Sequence, residues 1–166
     1  MHETADDRIA LQALLDSSYD RAGEHLTSIH TDKVRLAADE LIDALTGMRV
    51  LALATATTDG RPLIGPVDAF FVRGHWHLST SPTALRTRHM DRSPGVSAGY
   101  VEGEALCVIV HGRAERLDVG DLPSEYRRAL VDHYGPEWVD SWGEDIAAFR
   151  IAANRMFAAD MSRHLS

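Results

Sequence analysis

After Gly47 the apolar residues change from a helical period to a period of two, and that alternation returns almost to the end of the chain. RVLALATAT (49–57) is a β run, TDG (58–60) is a hairpin turn of the Asp-Gly kind, and RPLIGPVDAFFVRG (61–74) returns as a second strand. Pro62 and Pro66 lack ladder donors, so this strand is expected to carry an edge, a bulge or an exposed stretch. Arg73-Gly74 feeds a third strand, HWHLST (75–80), in which His75, His77 and Ser79 share one face and Trp76, Leu78 and Thr80 the other. A helix is expected over 82–91, then strands over 96–102 and 105–117 joined tightly at Gly103-Glu104. Two short helices separated by Gly135-Pro136 fill 122–142, and IAAFRIAANRMFA (146–158) reads as the last strand, its alanines leaving a helix as the alternative. Six strands with one helix inserted after the third predict a mainly β fold, a closed antiparallel barrel with helical additions.

The residues before Gly47 read as a helical N-terminal extension (1–46) on a barrel core (47–160). Thr4 with Asp7 resembles a capping box, and Ile9, Leu11, Leu14 and Leu15 follow at roughly helical spacing. Residues 17–30 are polar and broken by Gly23, as in a connector. From Thr31, Val34, Ala38, Leu41 and Leu45 recur at helical intervals up to Gly47, which predicts an amphipathic helix. At 166 residues the chain is long enough for one well-buried core and short for two ordinary domains, so a single domain over 1–166 is expected.

Composition excludes several functions. The formal net charge of -8 opposes general nucleic-acid binding, while leaving room for a small anion in a local arginine pocket. No apolar run approaches the roughly 20 residues that span a bilayer, and MHETADDRI is acidic where a signal peptide is basic, so a cytoplasmic protein without a membrane partner is expected. The single Cys107 rules out an internal disulfide framework and reads as a small strand hydrophobe. No Gly-rich phosphate loop, nucleophile elbow or paired-carboxylate pattern supports a kinase, hydrolase or glycosidase.

The chemistry concentrates in STSPTALRTRHMDR (79–92). Ser81 stands at an N-cap position with Pro82 in the first turn, which gathers free backbone N–H groups near 81–84. With the hydroxyls of Thr80, Ser81 and Thr83 and the guanidinium of Arg86, this makes a phosphate site. Arg88 lies about 200° around the helix from Arg86. In the alternative reading, Arg86, Arg88 and Arg92 solvate an exposed helix and pair with Asp91 or other carboxylates.

The succession RVLALATATTDGRPLIGPVDAFFV, HWHLSTSPTALRTRHMDRSPGVS and EALCVIVHGRAERLD resembles the pyridoxamine 5′-phosphate oxidase-like, FMN-binding split-barrel family over about residues 47–118. The resemblance implies a flavin-dependent oxidoreductase, a homodimer with FMN at the subunit interface that transfers hydride to or from a small organic substrate. It implies that Ser79 and Thr80 contact phosphate or ribityl, that Arg86 and Arg88 are its basic ligands, and that Pro66, Val67 and Asp68 line the flavin ring through their backbone. Relatives of this kind include F420-dependent reductases and haem-binding or haem-degrading proteins, which are the alternatives. Where the oxidases proper carry a glutamine near the flavin this chain has Cys107, and their C-terminal arginine and tryptophan motif is missing from AANRMFAADMSRHLS, which argues against vitamin B6 oxidation.

The remaining motifs read more plainly. His75 and His77 form HxH without an identifiable third ligand, so no metal site is expected. His111 is the candidate axial ligand if the cofactor is haem, and His89 reads as a helix-surface residue within reach of the phosphate. Trp138 and Trp142, one turn apart, read as packing residues.

Overall fold

The computed structural model describes residues 3–141 and 145–164, and its centre is a closed antiparallel barrel of six strands in the order β1-β2-β3-β6-β5-β4. The strands are β1 (Met48–Ala56), β2 (Pro62–Val72), β3 (His75–Thr80), β4 (Gly95–Glu102), β5 (Leu106–Leu117) and β6 (Ala147–Asp160). The expected barrel with helical additions is therefore present, and the alanine-rich segment after 146 is a strand. Two-residue reversals work as the turn chemistry demands, with Arg73 and Gly74 both at positive φ (53° and 76°) between β2 and β3. Leu51, Leu53, Ala69, Phe71, Trp76, Leu78, Val108, Val110, Phe149 and Ile151 point inward and form the core with Met90 from the helix α4 (Leu85–Arg92).

β3 is much shorter than its neighbours. It pairs with β2 only across 69–72 and with β6 only across 147–150, so β2 before residue 69 and β6 after residue 150 each run on without it. The N-terminal region covers the second of these open edges. Helix α1 (Ala5–Asp20) begins with a complete capping box, the Thr4 hydroxyl accepting from Asp7 N–H and the Asp7 carboxylate accepting from Thr4 N–H. At its other end the Ser18 hydroxyl accepts from Met156 N–H at 2.9 Å. Tyr19 Oη donates to Ala158 O at 3.0 Å and accepts from Ala158 N–H at 3.2 Å, while His30 Nδ1 lies 3.0 Å from the same oxygen. Burial, offset in part by that backbone bond and by Arg35, pushes the Tyr19 hydroxyl up to about 12, so it stays a neutral donor and acceptor.

Residues 34–36 complete the cover and correct the expected helix from Thr31. Leu36 N–H donates to Ala158 O, Asp160 N–H donates to Val34 O, and Arg35 bridges Ala159, so this stretch is extended. Helix α3 spans only Ala38–Ala44, its start held by Glu40 on Ala37 N–H and by Gln12 on Ala38 N–H. Val34, Ala38, Leu41 and Leu45 are all buried as their spacing requires, but Val34 is buried from an extended backbone, because hydrogen-bonding to β6 satisfies groups that an earlier helical turn would have left against an open sheet edge. The polar connector at 17–30 likewise holds the last turn of α1 and a short α2 (Glu24–Ile29).

A bulge between His111 and Gly112 bends β5 against β6. A Cβ at Gly112 would stand 2.2 Å from Ala152 O, so the backbones approach there as only glycine allows. Outside the barrel, α5 (Ser124–Tyr134) and α6 (Pro136–Asp140) lay Tyr126, Leu130 and Val139 on Phe70, Val72 and Ala148. Among the described residues no helix is long and apolar enough to cross a membrane.

Tyr19→Phe removes the hydroxyl that serves both backbone groups of Ala158, and is expected to lower stability by about 1–3 kcal/mol, the cost of buried groups left unpaired. Urea unfolding of the two proteins measures it, and an unchanged midpoint contradicts this account of the N-terminal region.

Candidate functional site

The candidate site grows from the other open edge. β2 pairs with β1 along its length, Ala52 opposite Pro66 and Val50 opposite Asp68, but its first half has no β3 beside it. Into that gap comes Arg86, whose Nη1 donates to Pro66 O at 2.5 Å and whose Nη2 would lie 3.5 Å from a Cβ on Gly65. A guanidinium thus takes the carbonyl that a strand would have taken. Alternation along β2 turns Pro66 and Asp68 outward and buries Val67 in the core, so Val67 can offer a ligand only its backbone.

The chain after β3 positions Arg86 in a way that differs from the expected N-cap. The Ser81 hydroxyl accepts from Thr83 N–H, Ala84 N–H donates to Ser81 O, and the Thr87 hydroxyl donates to the same carbonyl at 2.7 Å. Ser81 therefore closes a turn over 81–84, and α4 starts at Leu85 with Ala84 as an N-cap lacking a side-chain bond. The helix begins three residues later than Ser-Pro predicts because the turn consumes the Ser81 hydroxyl and carbonyl. Ser79 faces outward on β3 opposite Ala148, and Thr80 faces the other side opposite Ala147.

α4 closes one mouth of the barrel, with Thr87, His89 and Met90 buried. His89 is inside rather than on the helix surface, its Nδ1 3.0 Å from the buried Thr55 hydroxyl. Arg88 and Arg92 project from the opposite side to Arg86, into a 250 Å³ groove shared with Arg61 and the 57–59 turn. The structure brings Arg86 to Pro66 and leaves Arg88 apart from both. Asp91 binds Arg116 through both carboxylate oxygens, at 2.9 and 2.8 Å, and among the described residues Arg86, Arg88 and Arg92 form no ion pair.

Two features had no counterpart in the sequence reading. Tyr134 on α5 donates to Asp68 at 3.0 Å and stacks on Trp138, with ring centroids 4.2 Å apart; burial and that donation push the phenol up to about 12. Trp142 lies outside the described residues. Apart from Asp68, the outer face of β1, β2 and β4 carries mainly small or apolar residues, Ala52 opposite Gly99 and Ala54 opposite Ser97, with Val50, Ile64 and Val101 exposed by 51, 74 and 60%. On the adjoining outer face of β5, His111 lines a 360 Å³ groove, and its Nδ1 lies 2.7 Å from the Ser97 hydroxyl. Cys107 is half-buried there, and burial raises its thiol.

His75 and His77 line one groove with Asp7, Arg73 and Arg150, and among the described residues no group of three metal-ligating side chains forms. His77 stacks on Tyr126 at 4.8 Å, and burial first, then His75 and Arg150, lower it to about 4 despite its bond to His75 O.

No protein-family model and no curated protein matches the sequence. Solved structures do match. The conserved hypothetical protein Rv2991 of Mycobacterium tuberculosis has a TM-score of 0.68 at 21% identity, over 82% of this chain and 92% of that one. An FAD-binding protein of Mesorhizobium loti has a TM-score of 0.56 at 26% identity, over 76% and 96%. HutZ, the heme storage protein of Vibrio cholerae, has a TM-score of 0.57 at 20% identity, over 73% and 91%. A candidate pyridoxamine 5′-phosphate oxidase of Listeria innocua and an F420 reductase share the fold at TM-scores of 0.55 and 0.54. The likeness shows a split barrel with helical additions, the fold that the sequence resemblance implied.

Because His77 is lowered from its ordinary 6.5 to about 4, the unfolded chain takes up a proton that the folded one refuses. Its contribution is complete above pH 6.5 and is lost as pH falls toward 4, by about 3 kcal/mol. His30 and His75 are lowered too and add in the same direction. His77→Phe keeps the ring against Tyr126 and is expected to lose roughly 2–3 kcal/mol less than the parent between pH 7 and pH 4.5 in urea unfolding. Equal losses contradict the burial argument.

Proposed function

We propose that this chain is a flavin-dependent oxidoreductase that holds the phosphate of FMN at the corner between β2 and the start of α4, in a homodimer. The observation that carries the reading is Arg86, aligned by the Pro66 carbonyl, without a carboxylate partner among the described residues, and one short turn from the hydroxyls of Ser81 and Thr83. The donor set suits a phosphate: a guanidinium, hydroxyls, and the N–H groups at the start of α4, on a protein whose overall charge is -8. Ser79 and the outward side of β2 at Pro66 and Asp68 extend that corner along the sheet, and the Arg88 groove supplies positive potential from behind the helix. When bound, the isoalloxazine supplies hydride transfer. The chain's residues bind and orient it and keep their own protons, Tyr134 holding its proton on Asp68 and Cys107 remaining a thiol. The exposed face of Val50, Ala52, Ile64, Gly99 and Val101 supports dimerisation, because an apolar sheet face of this kind gains by being covered. The FAD-binding relative and the F420 reductase support an anionic, ring-bearing cofactor in general; F420 is the variant of this reading with a longer tail.

His111 favours a second reading, haem binding. Its Nδ1 is oriented by Ser97, which leaves Nε2 toward the outer groove as a ligating imidazole requires, and HutZ shares the fold.

Arg86→Ala is expected to weaken FMN binding by about 1.5–3 kcal/mol, roughly 10- to 150-fold, in a fluorescence titration of the purified protein. Unchanged affinity in a folded variant places the phosphate elsewhere. His111→Ala should leave flavin uptake intact and abolish the Soret band formed with hemin, and a protein taking up neither cofactor defeats both readings. Ala52→Arg should shift a dimer to monomer in analytical ultracentrifugation.

A further inference from the structure

We infer that the cavity between α3, α5 and the far end of β2 is a binding site for an organic cation, an amine with an apolar body about the size of an aromatic ring. The inference does not rest on the cofactor reading: the cavity lies at Phe70–Val72, beyond the Pro66 corner along the same strand. Its volume of 480 Å³ falls within the ~300–1,000 Å³ typical of small-molecule sites. The floor is apolar, formed by Ile42, Met48, Phe70 and Phe71, and three of these are more than nine-tenths buried. The rim is acidic, formed by Glu3 ahead of α1, Asp43 on α3 and Asp132 on α5.

Those three carboxylates come from segments far apart in sequence and converge on one opening that no arginine or lysine lines among the described residues. Several other carboxylates of this molecule are taken up by arginines, Asp7 by Arg73, Asp39 by Arg8, Asp91 by Arg116 and Glu115 by Arg150. Glu3 accepts from Arg73 N–H at 3.1 Å, which fixes it at the rim, whereas the Asp43 and Asp132 carboxylates form no ion pair among the described residues. Like charges around an apolar mouth repel one another and repel anions; a single cation above the floor relieves the first and gains most from Asp43 and Asp132, since Glu3 also lies in the field of Arg73. The ring of His133 stands edge-on to Phe70 at 5.7 Å and closes one side, giving the body of the ligand an aromatic wall. Charge sign selects the head group and the buried rings select the tail, so a neutral or acidic molecule of the same shape lacks half of the recognition.

The test titrates the full chain with 2-phenylethylamine, with 2-phenylethanol and phenylacetate as neutral and anionic comparators. Calorimetry gives affinities, and methyl NMR of Ile42 and Met48 gives location. The amine is expected to bind at least about tenfold more tightly than the alcohol, with both methyls shifting and phenylacetate not binding. Asp43→Asn with Asp132→Asn should weaken the amine about tenfold and leave the alcohol unchanged; both side chains are exposed, and an unaltered melting temperature verifies the fold. Arg86→Ala should bind the amine as the parent does, so loss of flavin uptake in that variant cannot be mistaken for loss of this site. Equal affinity for amine and alcohol, full amine affinity in the double variant, or methyl signals unmoved at about 10 mM amine each overturn the inference.

Discussion

Barrel closure here depends on a strand of six residues, β3, which meets β6 over only four residue pairs. Because both neighbours outrun it, each presents a length of backbone whose hydrogen bonds the sheet cannot supply, and unpaired edges are costly when buried and hazardous when exposed. The chain answers the two edges differently. Along β6, side-chain hydroxyls from α1 and the backbone of 34–36 act as a substitute strand, with Ser18 on Met156 and Tyr19 on Ala158. Along β2 a single guanidinium stands in, Arg86 on Pro66, and the edge around it remains open. The closed edge is structural, and the open one leaves the first half of β2 without a strand on that side.

The N-terminal region therefore has a definite physical role. It belongs to the hydrogen-bond accounting of β6 as well as to its apolar cover, and Leu11, Leu15, Leu36 and Leu41 join the barrel core itself. Its polar anchors are buried and mutually dependent, since Tyr19, His30 and Ala158 share one oxygen. Arg35 lies over the Tyr19 ring at 4.3 Å, which ties the extended stretch to the helix it faces.

Electrostatically, β2 is a divided strand. At Pro66 it meets arginine; at Phe70 to Val72 it lies beneath a rim of carboxylates, with α5 laid over its middle through Tyr134 on Asp68. A net charge of -8 says little about either end, because each field is local and screened within about 8–10 Å at ordinary ionic strength. The global balance repels a polyanion at long range. It does not bear on a single phosphate or a single ammonium.

The six strands were legible in the sequence because alternation, Asp59-Gly60 and Arg73-Gly74 each express a local preference that agrees with the fold. Two local signals misled for the same reason. Val34 and Leu36 suit an extended edge as well as a helix face, and Ser81-Pro82 suits a turn as well as a cap; distant β6 chose in the first case, and the bonds of Thr83, Ala84 and Thr87 to Ser81 in the second. The candidate site divides along that line. Residue types at 79–92 announced an anion site, but that Arg86 faces Pro66 while Arg88 faces Arg61, that His89 is buried on Thr55, and that Tyr134 reaches Asp68 are contacts between residues 20 to 66 positions apart. The sequence by itself determined the strand and turn pattern, the arginine-bearing segment and the sign of the overall charge, since these reside in single residues and their near neighbours. Tertiary structure alone decided which edges stay open, which arginine faces the gap and where three separated acids converge, because those depend on how far β3 extends before the chain must turn away from the sheet.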